Sequence, residues 1–541
     1  MDEGRVPERV RYRFSPLERR GVIAGWRGGQ IAAVASSLVV GVLALRSRPS
    51  VVGVLVAVGG VATGVALAFW PIRGRTAEQW LPLAARWVGG RVTGSGRHVA
   101  PAPRAGHRVS PRAGRGGPEG CAVLPAPLPA PSARKRSIFG GLVLESVPLG
   151  PESSAADLGV LIDGPSRTAT AVLSVRGHSF ALLGPADQDA RIATWARVLS
   201  AMAREGSDVH RIQWIESCLP DDGRSVRDHC SRHAELGGDT PAGRSYRELV
   251  DESSPVTRRH RVLLGLTVHT TRSSRSIRAA GRGMVGVGAV LTREVLALHR
   301  ALDGADIEVD GVLGPRALAR AVGEAYAPAG AGTRAGADGD RRTDPDGWHR
   351  TPTAGTPTGG TSTDGSDRPR TSWPWPMAVE SHWDAVHTDA TWHATYWIAE
   401  WPRVEVTPDF LGPILFSSLR RSVVLTMEPV DPTRAARQVA QARTADIADG
   451  ELRRRGGFLV TARHSRQMAS VEERDTELAD GHAQFRFTGY VTVTADTRAE
   501  LTAARAAVEQ AAGQARIELR LLFGEQDLAF TCSLPLGRGL S

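Results

Sequence analysis

Lysine is almost missing from this chain of 541 residues, because 67 residues are lysine or arginine and only Lys135 is lysine. A phosphate-binding P-loop needs lysine between glycine and serine or threonine, whereas Lys135 lies between two arginines. The chain therefore lacks the nucleotide site of an ATPase motor. Cysteine is also scarce, and the 4 cysteines form no Cys-x-x-Cys pair, which excludes a disulfide scaffold.

Acidic residues are few in the N-terminal quarter. Residues 1–136 hold 20 arginines and one lysine against 6 acidic residues, a net charge of +15. The other 405 residues hold 46 basic and 51 acidic residues, a net charge of −5. A nucleic-acid-binding domain carries its basic face on the folded body, so we expect no direct contact with nucleic acid. An anionic membrane surface is the predicted partner of the basic quarter.

Two uncharged apolar runs, Ile31 to Leu45 and Val51 to Trp70, are separated by a short loop. The second run would form a helix about 30 Å long, which matches the hydrocarbon core of a bilayer. The runs predict a transmembrane hairpin over residues 28–71 with membrane lipid as its partner. Gly60 and Gly64 have the spacing that lets two helices pack closely. A buried soluble hairpin is the alternative, whereas a cleaved signal peptide does not explain the second run.

Arginines flank both apolar runs. By the positive-inside rule they predict a two-span plasma-membrane protein whose termini, including the basic residues 1–27, and bulk face the cytoplasm. Residues 72–90 predict an amphipathic helix lying on the membrane interface. The residues expected at that interface are Arg27, Arg46, Arg48, Arg73, Arg75, Trp26, Trp70, Trp80 and Trp87.

The rest of the chain is divided by composition. We predict a flexible basic linker over residues 91–137 and a disordered linker over residues 327–376, because neither segment shows the regular spacing of apolar residues that is typical of a helix or a strand. Mixed strand and helix patterns predict two α+β lobes over residues 138–326 and 377–541. The predicted fold is an N-terminal two-helix transmembrane hairpin followed by a cytosolic α+β body of two lobes separated by a disordered linker.

Two patterns suggest a cofactor or an acid/base pair. Gly281 to Gly286 has the Gly-x-Gly-x-x-Gly spacing, but an Arg- and Ser-rich loop separates it from the preceding predicted strand, unlike a dinucleotide site. Asp389 and His393 could form an acid/base pair, but no nucleophile or orienting group accompanies them. We therefore predict no catalytic residue and no cofactor, and a capping or interface role for this pair.

Two further patterns suggest a zinc site and a peptidoglycan-binding segment, and in each case an observation opposes that interpretation. Cys218, His229, Cys230 and His233 are residue types that bind zinc, but their spacing matches no finger pattern, so no metal site is predicted and their roles stay open. Leu298 to Val322 looks somewhat like a peptidoglycan-binding module, which the predicted cytoplasmic location opposes.

Several short motifs carry a family resemblance. Tyr12 to Gly21, ahead of the hairpin, and Arg75 to Trp80 resemble the PrgI-like inner-membrane proteins of actinobacterial type IV secretion and conjugation loci. Trp392 to Arg403, Phe487 to Val493 and Leu534 to Leu540 are similar to that family and, more remotely, to the N-terminal domain of VirB-type conjugation ATPases.

The resemblance implies a platform protein without a motor domain and without catalytic residues to carry over. We therefore predict a non-enzymatic inner-membrane component of a type IV secretion or conjugation-like machine, which docks a separate hexameric P-loop ATPase and other machine subunits. A component of another actinobacterial secretion system with a two-span anchor, or a membrane-tethered enzyme, are the alternatives. The residues expected to contact a partner are Trp397, Trp401, Pro402, Arg403 and Arg538.

Overall fold

The structure is a computed structural model. It describes Phe14 and residues 28–47, 50–69, 75–94, 96–99, 142–148, 157–177, 180–220, 240–253, 258–305, 307–327, 376, 378–455 and 462–540. Most of both predicted linkers lies outside these residues, although three residues of the first linker form strand β1 (Arg97–Val99).

Two helices open the described part of the chain, α1 (Gly28–Ser47) and α2 (Val51–Phe69). They pack antiparallel, since the Gln30 side chain near the start of α1 donates a 3.2 Å hydrogen bond to the Ala68 carbonyl near the end of α2. Among the described residues, no helix combines the length and apolar character required to cross a bilayer. The predicted transmembrane hairpin over residues 28–71 and the two-span membrane location are therefore wrong.

The composition of the two helices explains this correction. The absence of charge guided the prediction, whereas a bilayer-crossing helix must also be strongly apolar along its length. Gln30, Ser36 and Ser37 interrupt the apolar run of α1, and four glycines and Thr63 interrupt that of α2 within its 19 residues.

The helix expected on a membrane interface packs on protein instead. It is α3 (Ala77–Val92), and its Trp80 ring lies 5.9 Å from both the Trp383 and the Phe523 ring centroids. Trp87 meets Trp383 edge to face at 5.1 Å. Aromatic side chains favour burial against other rings as much as a membrane interface, and sequence alone does not distinguish the two.

Lobe 1 mixes strands and helices. Its strands are β2 (Leu142–Pro148), β3 (Asp157–Asp163), β4 (Thr168–Arg176), β5 (Val209–Pro220), β6 (Arg258–His269) and β7 (Glu308–Val312). Its helices are α4 (Pro185–Met202), α5 (Pro241–Ser253), α6 (Ser274–Ala279), α7 (Gly283–Asp303) and α8 (Pro315–Tyr326), with a 3-10 turn at Phe180–Leu182.

Lobe 2 follows the same plan. Its strands are β8 (Ala378–Ser381), β9 (Val386–Thr388), β10 (Thr391–Glu400), β11 (Arg421–Pro429), β12 (Phe485–Ala495) and β13 (Glu518–Leu521). Its helices are α9 (Gly412–Leu415), α10 (Pro432–Arg455), α11 (Ala462–Ala479), α12 (Arg498–Gln514) and α13 (Gln526–Thr531). A capping box formed by Thr497 and Glu500 begins α12.

The two lobes have the same topology. Each has six strands, and the first five lie in the spatial order 1-2-3-5-4, all paired antiparallel. In both lobes the sixth strand pairs with the third, as β7 does with β4 and β13 with β10. The body therefore uses one strand topology twice, a structural repeat that we call the internal duplication and that the sequence did not reveal.

One sheet runs through both lobes, because their fourth strands pair with each other. Residues 212–218 of β5 pair antiparallel with residues 421–427 of β11, which makes a sheet of 13 strands with β1 included. The predicted picture of two separate lobes joined by a linker is corrected accordingly. A shared apolar cluster under α8 and α13 covers one face of the sheet across both lobes. Each lobe has its own cluster on the other face, with α4 and α7 in lobe 1 and α12 in lobe 2.

The C-terminal segment Leu534 to Leu540 crosses the junction between the lobes. The Gly537 amide donates to Gln213 of lobe 1 at 3.0 Å. Thr426 and Tyr490 of lobe 2 donate to the carbonyls of Arg538 and Gly539 at 3.2 and 2.5 Å. The segment therefore fastens one lobe to the other through buried polar groups.

Candidate functional site

Three aromatic side chains form a cluster on lobe 2, which we call the aromatic pocket. Trp401 follows the end of β10, Phe410 lies in the loop before α9, and Phe487 is on β12. The Trp401 ring centroid lies 6.4 Å from that of Phe410 and 5.5 Å from that of Phe487, and both pairs meet edge to face. Edge-to-face contacts of this kind are favourable because the positive ring edge meets the negative ring face.

A glycine allows Trp401 to lie against the sheet. A Cβ atom on Gly489 would stand 3.0 Å from Cζ2 of Trp401 and 2.6 Å from Cδ1 of Ile398. Ile398 is itself buried, so the floor of the aromatic pocket is part of the lobe 2 core. The pocket is therefore held by a rigid support.

The aromatic pocket holds a phenylalanine from the far N-terminal end of the chain. The Phe14 ring stacks on Trp401 at a centroid distance of 5.2 Å and lies 5.5 Å from Phe410 and 6.5 Å from Phe487. Phe487 remains 43% exposed beside it, so the pocket opens to the surface. The geometry is that of a site that receives one aromatic side chain.

The charges around the pocket are complementary to the segment that carries Phe14. The loop from Trp401 to Phe410 contains the exposed Glu405 and Asp409, and its one arginine, Arg403, is paired with Glu400. In the sequence, arginines occur on both sides of Phe14, at positions 11, 13, 19 and 20. Opposite charge on the two sides favours association, more strongly at low salt.

Of the predicted partner residues, Trp401 lies in the aromatic pocket and three others lie in its neighbourhood. Trp397 donates from Nε1 to the Thr488 hydroxyl at 2.9 Å, and the Arg520 guanidinium lies 5.8 Å above its ring. Pro402 is buried, and the Arg403 guanidinium pairs with Glu400. Phe14, Phe410 and Phe487 were not predicted, since their ring contacts join distant parts of the chain.

The fifth predicted partner residue, Arg538, is used inside the protein. Its Nε donates to the buried carboxylate of Asp163 at 2.8 Å, and its Nη1 donates to the Thr531 hydroxyl at 3.3 Å. Arg538 thus links the C-terminal segment to lobe 1.

The residues predicted at a membrane interface have other surroundings where they are described. Arg75 pairs with Glu525 of lobe 2 at 3.3 Å, Trp80 and Trp87 pack as given above, and Arg46 is exposed at the end of α1. The others lie outside the described residues, namely Arg27, Arg48, Arg73, Trp26 and Trp70.

The two glycines predicted to pack the hairpin have different positions. A Cβ atom on Gly64 would stand 2.4 Å from Cβ of Ser37, so α1 and α2 approach closely there. A Cβ atom on Gly60 would have no heavy atom of the described residues within 4 Å.

The structure does not join Asp389 and His393. Asp389 is a turn residue with φ of 48°, and its carboxylate accepts from the Ala378 amide at 3.0 Å. The fully buried His393 hydrogen-bonds to Thr388 at 2.7 Å and to Thr494 at 2.9 Å. Burial lowers the pKa of His393 to about 3, so the imidazole is neutral and serves as a structural hydrogen-bonding group.

The remaining motifs are structural where they are described. Cys218 is buried on β5, and burial raises the pKa of its thiol, whereas His229, Cys230 and His233 lie outside the described residues. Within the described part of the chain no three His, Cys, Asp or Glu side chains converge on a metal site.

The glycine motif leads into α7 from another helix. Helix α6 lies between β6 and Gly281, so no strand turns directly into the motif. Gly286 allows α7 to approach α6, since a Cβ atom there would stand 2.1 Å from the Ile277 carbonyl oxygen. The segment compared with a peptidoglycan-binding module consists of the end of α7 from Leu298 on, β7 and most of α8, and its Asp310 accepts a hydrogen bond from Ser174 at 3.1 Å.

A buried ion pair at the lobe junction was missed. Arg421 of β11 is fully buried and pairs with Glu216 of β5, and it also donates to the Ser417 hydroxyl at 3.2 Å. The second oxygen of Glu216 bonds to Nδ1 of His260 at 2.7 Å. The pair joins neighbouring strands of different lobes, which sequence spacing could not indicate.

The chain matches no protein-family model and no curated protein.

Proposed function

We propose that the protein is a non-enzymatic docking subunit of a type IV secretion or conjugation-like machine and that its partner is a separate P-loop ATPase. The aromatic pocket is the docking point and takes an aromatic side chain of the partner. The observation that carries the proposal is the Phe14 ring, which the pocket already holds in stacked and tilted contacts. The absence of a P-loop lysine and the sequence resemblance to machine components support the choice of partner.

The pocket suits a protein interface for energetic reasons. Ring pairs contribute about 0.5–1.5 kcal/mol beyond the burial of their area. Tryptophan and tyrosine anchors dominate interface energies when they lie in well-packed pockets. Trp401 rests against Gly489 and the buried Ile398, so little entropy remains to be lost when a partner ring binds.

Phe14 then acts as an internal competitor. A partner must displace its ring from Trp401 before its own ring can enter. Because Phe14 belongs to the same chain, its effective concentration is high and the affinity for the partner is lowered accordingly.

The test is copurification from the natural host with the full chain carrying an affinity tag. Mass spectrometry of the captured proteins should identify a P-loop ATPase. The Trp401→Ala variant should reduce its recovery by about 30-fold, as expected for an interface anchor worth about 2 kcal/mol. Phe416→Ala is the matched control, because Phe416 is 70% exposed on the same lobe and lies outside the aromatic pocket.

Two results would contradict the proposal. If the captured proteins include no P-loop ATPase, the proposed partner is wrong. Equal recovery with Trp401→Ala and Phe416→Ala would show that the ATPase binds elsewhere.

A further inference from the structure

The internal duplication makes β2 of lobe 1 the counterpart of β8 in lobe 2. Both are the first strand of their lobe and pair antiparallel with the second strand. Their sequences agree, since β2 contains Leu144-Glu145-Ser146 and β8 contains Val379-Glu380-Ser381. Leu144 and Val379 both belong to the apolar cluster shared by the two lobes. Glu145 and Glu380 are therefore equivalent positions.

In lobe 2 a further strand covers the outer edge of β8. Strand β1 pairs antiparallel with it, with Arg97 opposite Glu380, His98 opposite Val379 and Val99 opposite Ala378. Oppositely charged side chains directly across an antiparallel pair stabilise it by about 0.2–1 kcal/mol. The chain thus contains its own example of a basic strand bound at this edge.

In lobe 1 the corresponding edge has no such strand within the described residues, where β2 is the last strand of the sheet. Natural edge strands are usually protected from pairing with other chains by shortness, a bulge, proline or charged side chains, above all lysine. Strand β2 has seven residues and a regular register, its proline is the last residue, and its one charged side chain is the acidic Glu145. Glu145 is half-buried and forms no hydrogen bond or ion pair with the described residues, and burial raises the pKa of its carboxyl group.

Helix α7 extends an apolar surface beyond β2. Gly288 of α7 lies on Val147 of β2, since a Cβ atom there would stand 2.3 Å from Cγ1 of Val147. Val285 and Leu296 lie on the adjacent outward stripe of the helix and are 58% and 48% exposed. Thr292, between them on the same stripe, has a buried hydroxyl without a hydrogen-bond partner in the described structure. A strand placed beside β2 would lie under this stripe.

We infer that the outer edge of β2 binds an extended segment of a partner protein, with arginine or lysine opposite Glu145 and apolar side chains under Val285 and Leu296. Main-chain hydrogen bonds supply the affinity, and the side chains on alternate positions supply the selectivity. This site is distinct from the aromatic pocket and does not depend on the proposed function. A second copy of β2 is a poor occupant, because it brings Glu145 again and no basic residue.

The probe is a fluorescent peptide with the sequence of residues 94–100, which contains β1. It should bind the full-length protein, and Glu145→Gln should weaken binding about 3- to 5-fold. Glu380→Gln is the matched control and should leave the affinity unchanged, since that edge already carries β1. Hydrogen exchange should slow in residues 142–148 when the peptide binds.

Alternate N-methylation of the peptide separates strand pairing from simple charge attraction. In an added strand every second amide faces its neighbour. One peptide carries the methyl groups on the backbone nitrogens of its arginine and valine, and the other carries them on the backbone nitrogens of its histidine and alanine. Only one of the two should lose binding, by at least about 10-fold.

Three results would overturn the inference. The first is no binding of the unmodified peptide, including the case in which residues 142–148 are already protected from exchange by another segment of the same chain. The second is an equal effect of Glu145→Gln and Glu380→Gln. The third is equal binding of the two methylated peptides.

Discussion

Replacing Gly537 with alanine tests how the C-terminal segment fastens the two lobes. Gly537 has φ of 65°, a conformation that costs an L-residue about 1–2 kcal/mol. The new Cβ atom would also stand 2.2 Å from the Thr267 hydroxyl oxygen and 2.7 Å from that of Thr170. Overpacking of this kind costs about 1–3 kcal/mol. We expect the free energy of unfolding to fall by about 2–5 kcal/mol.

The measurement is urea denaturation followed by tryptophan fluorescence. Gly481→Ala is the matched control, because Gly481 has φ of 86° and a Cβ atom there would have no heavy atom of the described residues within 4 Å. The control should lose only the backbone part, about 1–2 kcal/mol. In a chain that already carries Thr267→Ala, Gly537→Ala should cost less than it does in the wild type, because the shorter of the two close contacts is removed. A Gly537→Ala loss no larger than the Gly481→Ala loss would refute the reasoning.

Three other perturbations follow from the structure. Arg421→Met should destabilise the protein by about 3–5 kcal/mol, because the buried Glu216 loses its arginine and keeps only the hydrogen bond with His260, and Glu216→Gln in the same chain should recover part of the loss in a double-mutant cycle of unfolding free energies. The stability should fall as pH drops from 7.5 to 5.5, because the pKa of His393 is about 3 and that of His210 about 4 in the folded state, against about 6.5 unfolded. The fully buried His393 then binds its proton only on unfolding and contributes a loss of about 1.4 kcal/mol, which should be missing from the pH-dependent urea melts of His393→Gln, whereas the partly buried His210 adds a smaller loss that this variant retains. Trp80→Ala should release α3 from lobe 2, and faster proteolysis within residues 75–94 without loss of the body would verify it.

Local features of lobe 2 were predictable from sequence. The alternation from Phe485 to Val493 marks β12, and the capping box at Thr497 marks the start of α12, because both signals depend on residues close in the chain. Pro432 likewise begins α10.

The duplication was not predictable from one sequence. The two lobes share little local sequence beyond the Leu144-Glu145-Ser146 and Val379-Glu380-Ser381 match, and their turns differ in length. The pairing of β5 with β11, which joins residues more than 200 positions apart, depends on tertiary packing that no periodicity encodes.

In the aromatic pocket, too, the local feature was predictable from sequence and the contacts between distant residues were not. Trp401 was singled out within a dense aromatic stretch, and it lies in the pocket. Its ring partners Phe14, Phe410 and Phe487 come from other parts of the chain. The one local signal was Gly489, a glycine within a strand pattern, which often marks a close approach by another group.

The most direct test of the docking function compares two changes at the aromatic pocket with opposite expected effects. Phe14→Ala removes the internal competitor, and Trp401→Ala removes the wall on which a partner ring would stack. With the copurified P-loop ATPase as ligand, Phe14→Ala should tighten binding by about 5-fold, the equivalent of roughly 1 kcal/mol of ring contact. Trp401→Ala should weaken binding by about 30-fold. If both variants bind the ATPase as the wild type does, or if both weaken binding alike, the aromatic pocket is not where the partner docks.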